Sequence, residues 1–414
     1  MALQHPAFAH IPATVKPKLS PKAKETIVKV YEWVENECIP AESIMERQLE
    51  GHRWAVQPKM QELRGRAREA NLFNLFLPKT FKESPGLTNL EYACCAQIMG
   101  RCYWAAEKQK WLKPLLEGTA MSAYSMTEPD VAASDATNIA CSLHREGNHY
   151  VINGRKVFGG STMNKDLTFF ILMVCSDPEN PSAWKRHSMV IVPTNTPGIK
   201  HVRNLTIMGY DDAPQGHAEY LYTNVRVPVE NLILGEGRAF EIAQGRLGPG
   251  RIHHCMRLIG QSERAYEMAL VRAIDPQKKP RGKRIGDFDS NIERLAQMRL
   301  DIDTMRLIVL NAAETMDLLG NKAGRHTIAH SKIVVPSMAA KVIDECMQMH
   351  GGLGLTQETF MPHAWTYARY VRLADGPDAA HRHQVGRDEL KQATQLQSKH
   401  RRYKEQASDL AAKL

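Results

Sequence analysis

Thr168-Phe169-Phe170-Ile171-Leu172-Met173-Val174 runs apolar from Phe169 onward and is rich in aromatic and branched side chains. It is too short for a core helix, so it reads as a strand buried on both faces. Met189-Val190-Ile191-Val192-Pro193 repeats the signal, and residues 218–222 and 225–228 continue it. Residues 150–158 read as a hairpin with Asn153-Gly154 at its turn. Short strands broken by Gly, Pro, Asn and Asp suggest an antiparallel β-barrel or sandwich between about 119 and 238.

On both sides the period changes to that of a helix. Ile27, Val28, Val30, Tyr31 and Val34 give residues 22–38 an apolar face, and Pro40 is expected to close that helix. Residues 59–71 and 91–102 read as further helices. Residues 251–274, 290–319 and 326–349 are long periodic segments, the mark of a bundle. The expected fold is α+β. An N-terminal helical domain covers 1–118, a middle β domain 119–238, a C-terminal four-helix bundle 239–395, and an exposed tail 396–414.

A chain of 414 residues exceeds one ordinary core. The net charge of +9 suits an anionic ligand such as a nucleotide, although clusters such as Lys278-Lys279-Pro280-Arg281 also read as loop surface. No aromatic residues interleave with these clusters, which argues against nucleic acid. No apolar stretch has the length of a membrane span. Eight cysteines without paired spacing read as reduced, buried thiols, and no metal site is expected. The ending Ala412-Lys413-Leu414 is close to a peroxisomal address. Peroxisomal localisation is therefore expected, with cytoplasm or mitochondrion as alternatives.

Three separated motifs can carry chemistry. Tyr124-Ser125-Met126-Thr127-Glu128-Pro129, with Ser134-Asp135 close behind, offers a hydroxyl and turn N–H groups to a planar heterocycle, or is an ordinary turn. Gln348 to Gly354 offers an amide and glycines that let a diphosphate approach, or is a plain helix stop. Asp375-Gly376-Pro377 places a carboxylate where partial burial would suit it to accept a proton from carbon, or is a solvated turn. Arg251 is expected to open a helix after Leu247-Gly248-Pro249-Gly250. His253 and His254 are adjacent, so they point apart, and packing is favoured over metal binding. Nucleophile-elbow, Walker and dinucleotide-fold motifs are absent from the sequence.

The order of these parts resembles the acyl-CoA dehydrogenase family, in the subgroup of its members 10 and 11, over roughly residues 20–395. The resemblance implies FAD between the middle and C-terminal domains. It sets Tyr124, Met126, Thr127 and Ser134 in the loop near the flavin. Phe158 stands where relatives have Trp, and Gly160 where they have Thr or Ser beside N5. Lys278 stands where they have Arg, with Arg281 in place of an aromatic. Gln348, Gly351 and Gly352 match the segment that holds the adenine-diphosphate half, usually of a neighbouring subunit. Gly376 and Asp378 match the turn over the cofactor. Asp375 matches the catalytic base, and Arg251 and Ser134 lie by the acyl-CoA substrate.

The implied reaction is α,β-dehydrogenation of an acyl-CoA. Asp375 takes the α-proton and flavin N5 the β-hydride. An electron-transfer flavoprotein or O2 would reoxidise the flavin, in a homodimer or homotetramer. Gly250 stands where some relatives carry an alternative Glu base. Relatives have a few dozen more residues near Trp104-Ala105, which is either a true shortening of the acyl pocket or a gene-model artefact. Acyl-CoA oxidase activity, a nitroalkane-oxidase-like activity and a non-catalytic flavoprotein or assembly subunit are the alternatives.

Overall fold

The computed structural model describes residues 4–102 and 120–412. The segment around Trp104-Ala105 lies outside the described residues, as do Lys413 and Leu414.

Helix α1 (Pro21–Trp33) starts at Ser20, whose hydroxyl accepts from the Ala23 N–H. Its apolar stripe buries Ile27 and Val30. Pro40 does not end the helical path. A π-turn at Val34–Cys38 leads straight into α2 (Ile39–Gln48), where Pro40 sits in the first turn. A missing N–H is tolerated there, and the wide turn accommodates the ring. α3 is Pro58–Glu69. α4 (Asn89–Gly100) is closed at its start by reciprocal Thr88 and Glu91 bonds.

The middle region is one seven-stranded sheet. Its strands are β1 (Met121–Ser125), β2 (Ser142–Glu146), β3 (His149–Gly160), β4 (Leu167–Cys175), β5 (His187–Pro193), β6 (Ile199–Leu205) and β7 (His217–Pro228). The order is β1-β4-β2-β3-β7-β6, with β5 also on β4. The sheet is curled and mostly antiparallel, but β1 and β4 pair in parallel. A parallel pair needs a long connection, and the chain between Ser125 and Leu167 supplies it.

The opening run forms β4, and its alternation explains its composition. Phe170, Leu172 and Val174 join Ile152, Val190 and Tyr222 in the sheet core. Phe169, Ile171 and Met173 face the other way, onto Ala239 and Ala243. Both faces are covered from Phe169 to Val174, and that run is apolar throughout.

The expected hairpin at Asn153-Gly154 is instead a register shift inside the single long strand β3. The tight turn falls at the β2–β3 junction, where Gly147 has φ 61°. Gly154 is needed for approach, since a Cβ there would lie 2.7 Å from the Cys141 Cα.

Three long helices follow: α5 (Ala239–Ile274), α6 (Asp289–Ala323) and α7 (Arg325–His350). α8 (Met361–Val371), α9 (Asp378–Leu390) and the exposed α10 (Ala393–Ala411) complete the chain. α5 does not begin at Arg251; it runs through Gly248-Pro249-Gly250. The glycines there serve close approach, because a Cβ on Gly248 would meet the Asn321 side chain at 2.1 Å. One hydrophobic core joins α1 and α4 to α5, α6, α7 and α8. Among the described residues, no helix is long and apolar enough to cross a membrane.

Candidate active site

A cavity of about 1630 Å³ opens between the sheet and helices α5, α8 and α9. Its sheet side is fixed by a buried ion pair. Lys156 Nζ lies 2.7 Å from Glu128 Oε1 and also donates to the Met126 carbonyl at 2.9 Å and the Met173 carbonyl at 2.6 Å. Glu128 accepts from the Ala140 and Cys141 N–H groups at 2.8 and 2.9 Å. Thr127 is tied to β3 by a 2.9 Å bond from the Val157 N–H to its carbonyl. Glu128 is therefore the anchor of the Thr-Glu-Pro loop, and Met126 and Thr127 line the cavity.

The helical side is built by the end of α8. Lys332 is buried, and its ammonium donates to the Val371 and Ala374 carbonyls, both at 2.6 Å. These bonds satisfy carbonyls that a helix terminus leaves unpaired. The chain then turns sharply, with Asp375 at φ 55° and Gly376 at φ 97°. Asp378 opens α9 and accepts from Arg372 Nε and Nη2 at 3.0 and 2.9 Å. Between these anchors Asp375 reaches the cavity wall.

Arg251 Nε donates to the Asp375 carbonyl at 2.9 Å. His254 Nε2 lies 3.2 Å from Asp375 Oδ2. On the other side of that ring, Nδ1 lies 2.7 Å from Arg257 Nη2 and 2.9 Å from the Tyr367 hydroxyl. Gly250 lies beside this carboxylate: a Cβ there would stand 3.7 Å from Oδ2, at ordinary contact distance.

Burial dominates the electrostatics. It pushes the His254 pKa down to about 4 and that of His253 to about 3, with the Arg257 charge adding to both. Burial also holds His381 down at about 4, and lowers Lys332 and Arg251 from their ordinary values.

Tyr124, Met126, Thr127, Ser134, Phe158, Gly160, Arg251, Asp375 and Gly376 line this one cavity. Asp378 is buried at the start of α9 and is not part of the lining. Lys278, Gln348, Gly351 and Gly352 are exposed and outside its lining. Gly351, at φ 63°, caps the end of α7, as the plain helix-stop reading has it. His253 packs edge-on against Tyr92 at 4.4 Å, in keeping with packing, whereas His254 meets the carboxylate. Sequence reasoning missed His254, Arg257, Lys332 and Tyr367. A usable signal existed for two of them: residues 251, 254 and 257 follow one another at three-residue spacing on one helix.

Residues 123–222 match the family description "Acyl-CoA dehydrogenase, middle domain", and residues 237–390 match "Acyl-CoA dehydrogenase, C-terminal domain". Acyl-CoA dehydrogenase family member 11 of Gallus gallus is 40% identical over 400 residues, covering 90% of this chain and 51% of that protein. The Mycobacterium tuberculosis protein named "Probable acyl-CoA dehydrogenase FadE2" is 39% identical over 360 residues, covering 80% of this chain and 86% of that one. A solved Mycobacterium abscessus structure assigned to acyl-CoA dehydrogenases superposes with a TM-score of 0.85 at 41% identity, covering 90% of this chain and 99% of that one. The chain belongs to the acyl-CoA dehydrogenase family. It spans about half the length of the member 11 relatives and 38% of the Mus musculus member 10.

Proposed function

We propose that this chain is a flavin oxidoreductase that dehydrogenates an acyl-CoA thioester at its α,β carbons, with Asp375 taking the α-proton. The observation that carries the reading is the placement of Asp375. Among the described residues, two other carboxylates line the cavity, and both are turned to structural partners. Asp135 holds Thr137 at 2.7 Å, and Asp388 is flanked by Arg325, His326 and Lys391. Asp375 instead stands at the wall, supported by His254 and with its carbonyl fixed by Arg251.

The residues present fit FAD. Ordinary ligand pockets are about 300–1,000 Å³, and a cavity of about 1630 Å³ has room for a tricyclic ring and a thioester together. Phe158 presents an aromatic face that is 50% exposed. Beside it, nothing lies within 4 Å of the point a Cβ on Gly160 would occupy, so the wall stays open to a flat ring. Bound FAD would supply the two-electron acceptor for the β-hydrogen. Met126, Thr127 and Phe158 would hold its ring system. Asp375 would receive the α-proton on its carboxylate. By family analogy the Asp375 N–H would donate to the thioester carbonyl, where charge develops.

Lys278, Gln348, Gly351 and Gly352 would reach the cofactor of a neighbouring copy. Exposed Val271, Ile274, Leu300, Leu307 and Leu318 on α5 and α6 suit such packing. An electron-transfer flavoprotein or O2 would accept the electrons.

Anaerobic titration of FAD-loaded protein with a panel of acyl-CoAs tests the reading. Loss of the oxidised flavin absorbance with at least one chain length is expected. A flavin spectrum that responds to nitroalkanes and to no acyl-CoA, or a chain that takes up no FAD, overturns it.

A further inference from the structure

We infer that His254 is a positioning residue for Asp375: a neutral ring, held in its Nε2–H form by Arg257, that donates to Asp375 Oδ2 and fixes the orientation of the carboxylate at the cavity wall. The inference rests on the dehydrogenation reading for its catalytic consequence, but not for its chemistry.

Arg257 sets the tautomer. A guanidinium has donors and no acceptor. Its Nη2 lies 2.7 Å from His254 Nδ1, so Nδ1 must present a lone pair. A neutral imidazole with an acceptor at Nδ1 carries its proton on Nε2. That nitrogen is the one 3.2 Å from Asp375 Oδ2. Tyr367 reinforces the choice. Its hydroxyl accepts from Arg257 Nη2 at 3.2 Å and can donate to Nδ1 at 2.9 Å. A second proton on the ring would point Nδ1–H at the guanidinium, and the depression of the His254 pKa follows from that as well as from burial.

The arrangement has a consequence for the base. A donor to one oxygen favours the charged carboxylate and fixes its rotation. The side chains of His254 and Asp375 are 24% and 21% exposed, so the bond is only partly screened by water. Other charged and titratable groups face Asp375 as well: Arg251 and Arg257 from α5, Lys332 from α7, Tyr370 from α8 and His381 from α9. His254 contacts Oδ2 directly, at 3.2 Å. Replacing His254 therefore removes the ring's donor to Oδ2 while these other groups remain in place.

The experiment uses FAD-loaded wild type, His254→Leu and His254→Gln, with flavin content and melting temperature measured first. Leu removes the donor; Gln restores an N–H near the Nε2 position. The rate of anaerobic flavin reduction by acyl-CoA is followed against pH. In His254→Leu the acid limb is expected to move up by about one pH unit, and in His254→Gln most of that shift is recovered. Superimposable limbs in all three proteins would overturn the inference. In parallel, 15N-histidine spectra of the substrate-free wild type are recorded, with His254 assigned by the signal lost in His254→Gln. A neutral ring protonated at Nε2 at pH 7 is expected; the Nδ1–H form or an imidazolium would overturn the inference. Failure of the wild type to bleach at any pH would sink the dehydrogenation reading, while the spectra would still decide the role of the ring.

Discussion

Asp375 is a non-glycine residue held at φ 55°, a conformation Asp adopts more readily than most. Its candidate role was legible through the family resemblance alone, because by itself a carboxylate beside Gly376-Pro377 is an ordinary turn residue. His254 was less legible, because the adjacent His253 made the pair look like packing, which for His253 it is. The same buried rings make acid stability predictable. His253, His254 and His381 titrate well below the ordinary histidine value of 6.5. Between pH 6.5 and about 4 the unfolded chain therefore binds protons that the folded chain refuses. Stability is full above pH 6.5 and falls as pH drops through that window, by up to ~1.4 kcal/mol per pH unit for each ring. Denaturation curves at pH 7, 6 and 5 should show this decline. His253→Phe, which removes one such ring, should flatten it; an unchanged slope would show that His253 does not contribute.

At the scale of elements, most helices and strands fall where periodicity sets them. The misreadings cluster at Pro and Gly. Pro40 sits in a first turn, Pro249 lies within α5, and Gly154 lies within β3. In each case a residue that punctuates short peptides was absorbed by packing that a sequence cannot display. Gly154→Ala should cost about 1–3 kcal/mol in a denaturation assay, because its Cβ would collide with Cys141. The Lys156–Glu128 pair makes a larger demand. Both side chains are almost wholly buried, at 1% and 6% exposure. Lys156→Met would strand the Glu128 carboxylate, and a loss of about 3–5 kcal/mol is expected, together with weaker FAD retention as the Met126-Thr127 loop loosens. A variant as stable as wild type would contradict the anchoring role.

Over the whole molecule, residues near 124 and near 375 meet across a cavity bounded by sheet and bundle. No local pattern could have joined them; the resemblance to a family did. The β core, by contrast, was legible from alternation and apolar runs alone. The proposed second copy would cover exposed apolar side chains on α5 and α6 and take up Lys278 and Gln348, which lie outside the lining of this chain's own cavity. Light scattering at micromolar concentration should give at least twice the chain mass, and a monomer would contradict that placement. The account turns on the carboxylate at the cavity wall, and Asp375→Asn tests it most directly. The variant should bind FAD as the wild type does yet lose at least about a thousandfold in the rate of anaerobic flavin bleaching by acyl-CoA; bleaching at the wild-type rate would remove Asp375 from the role of base.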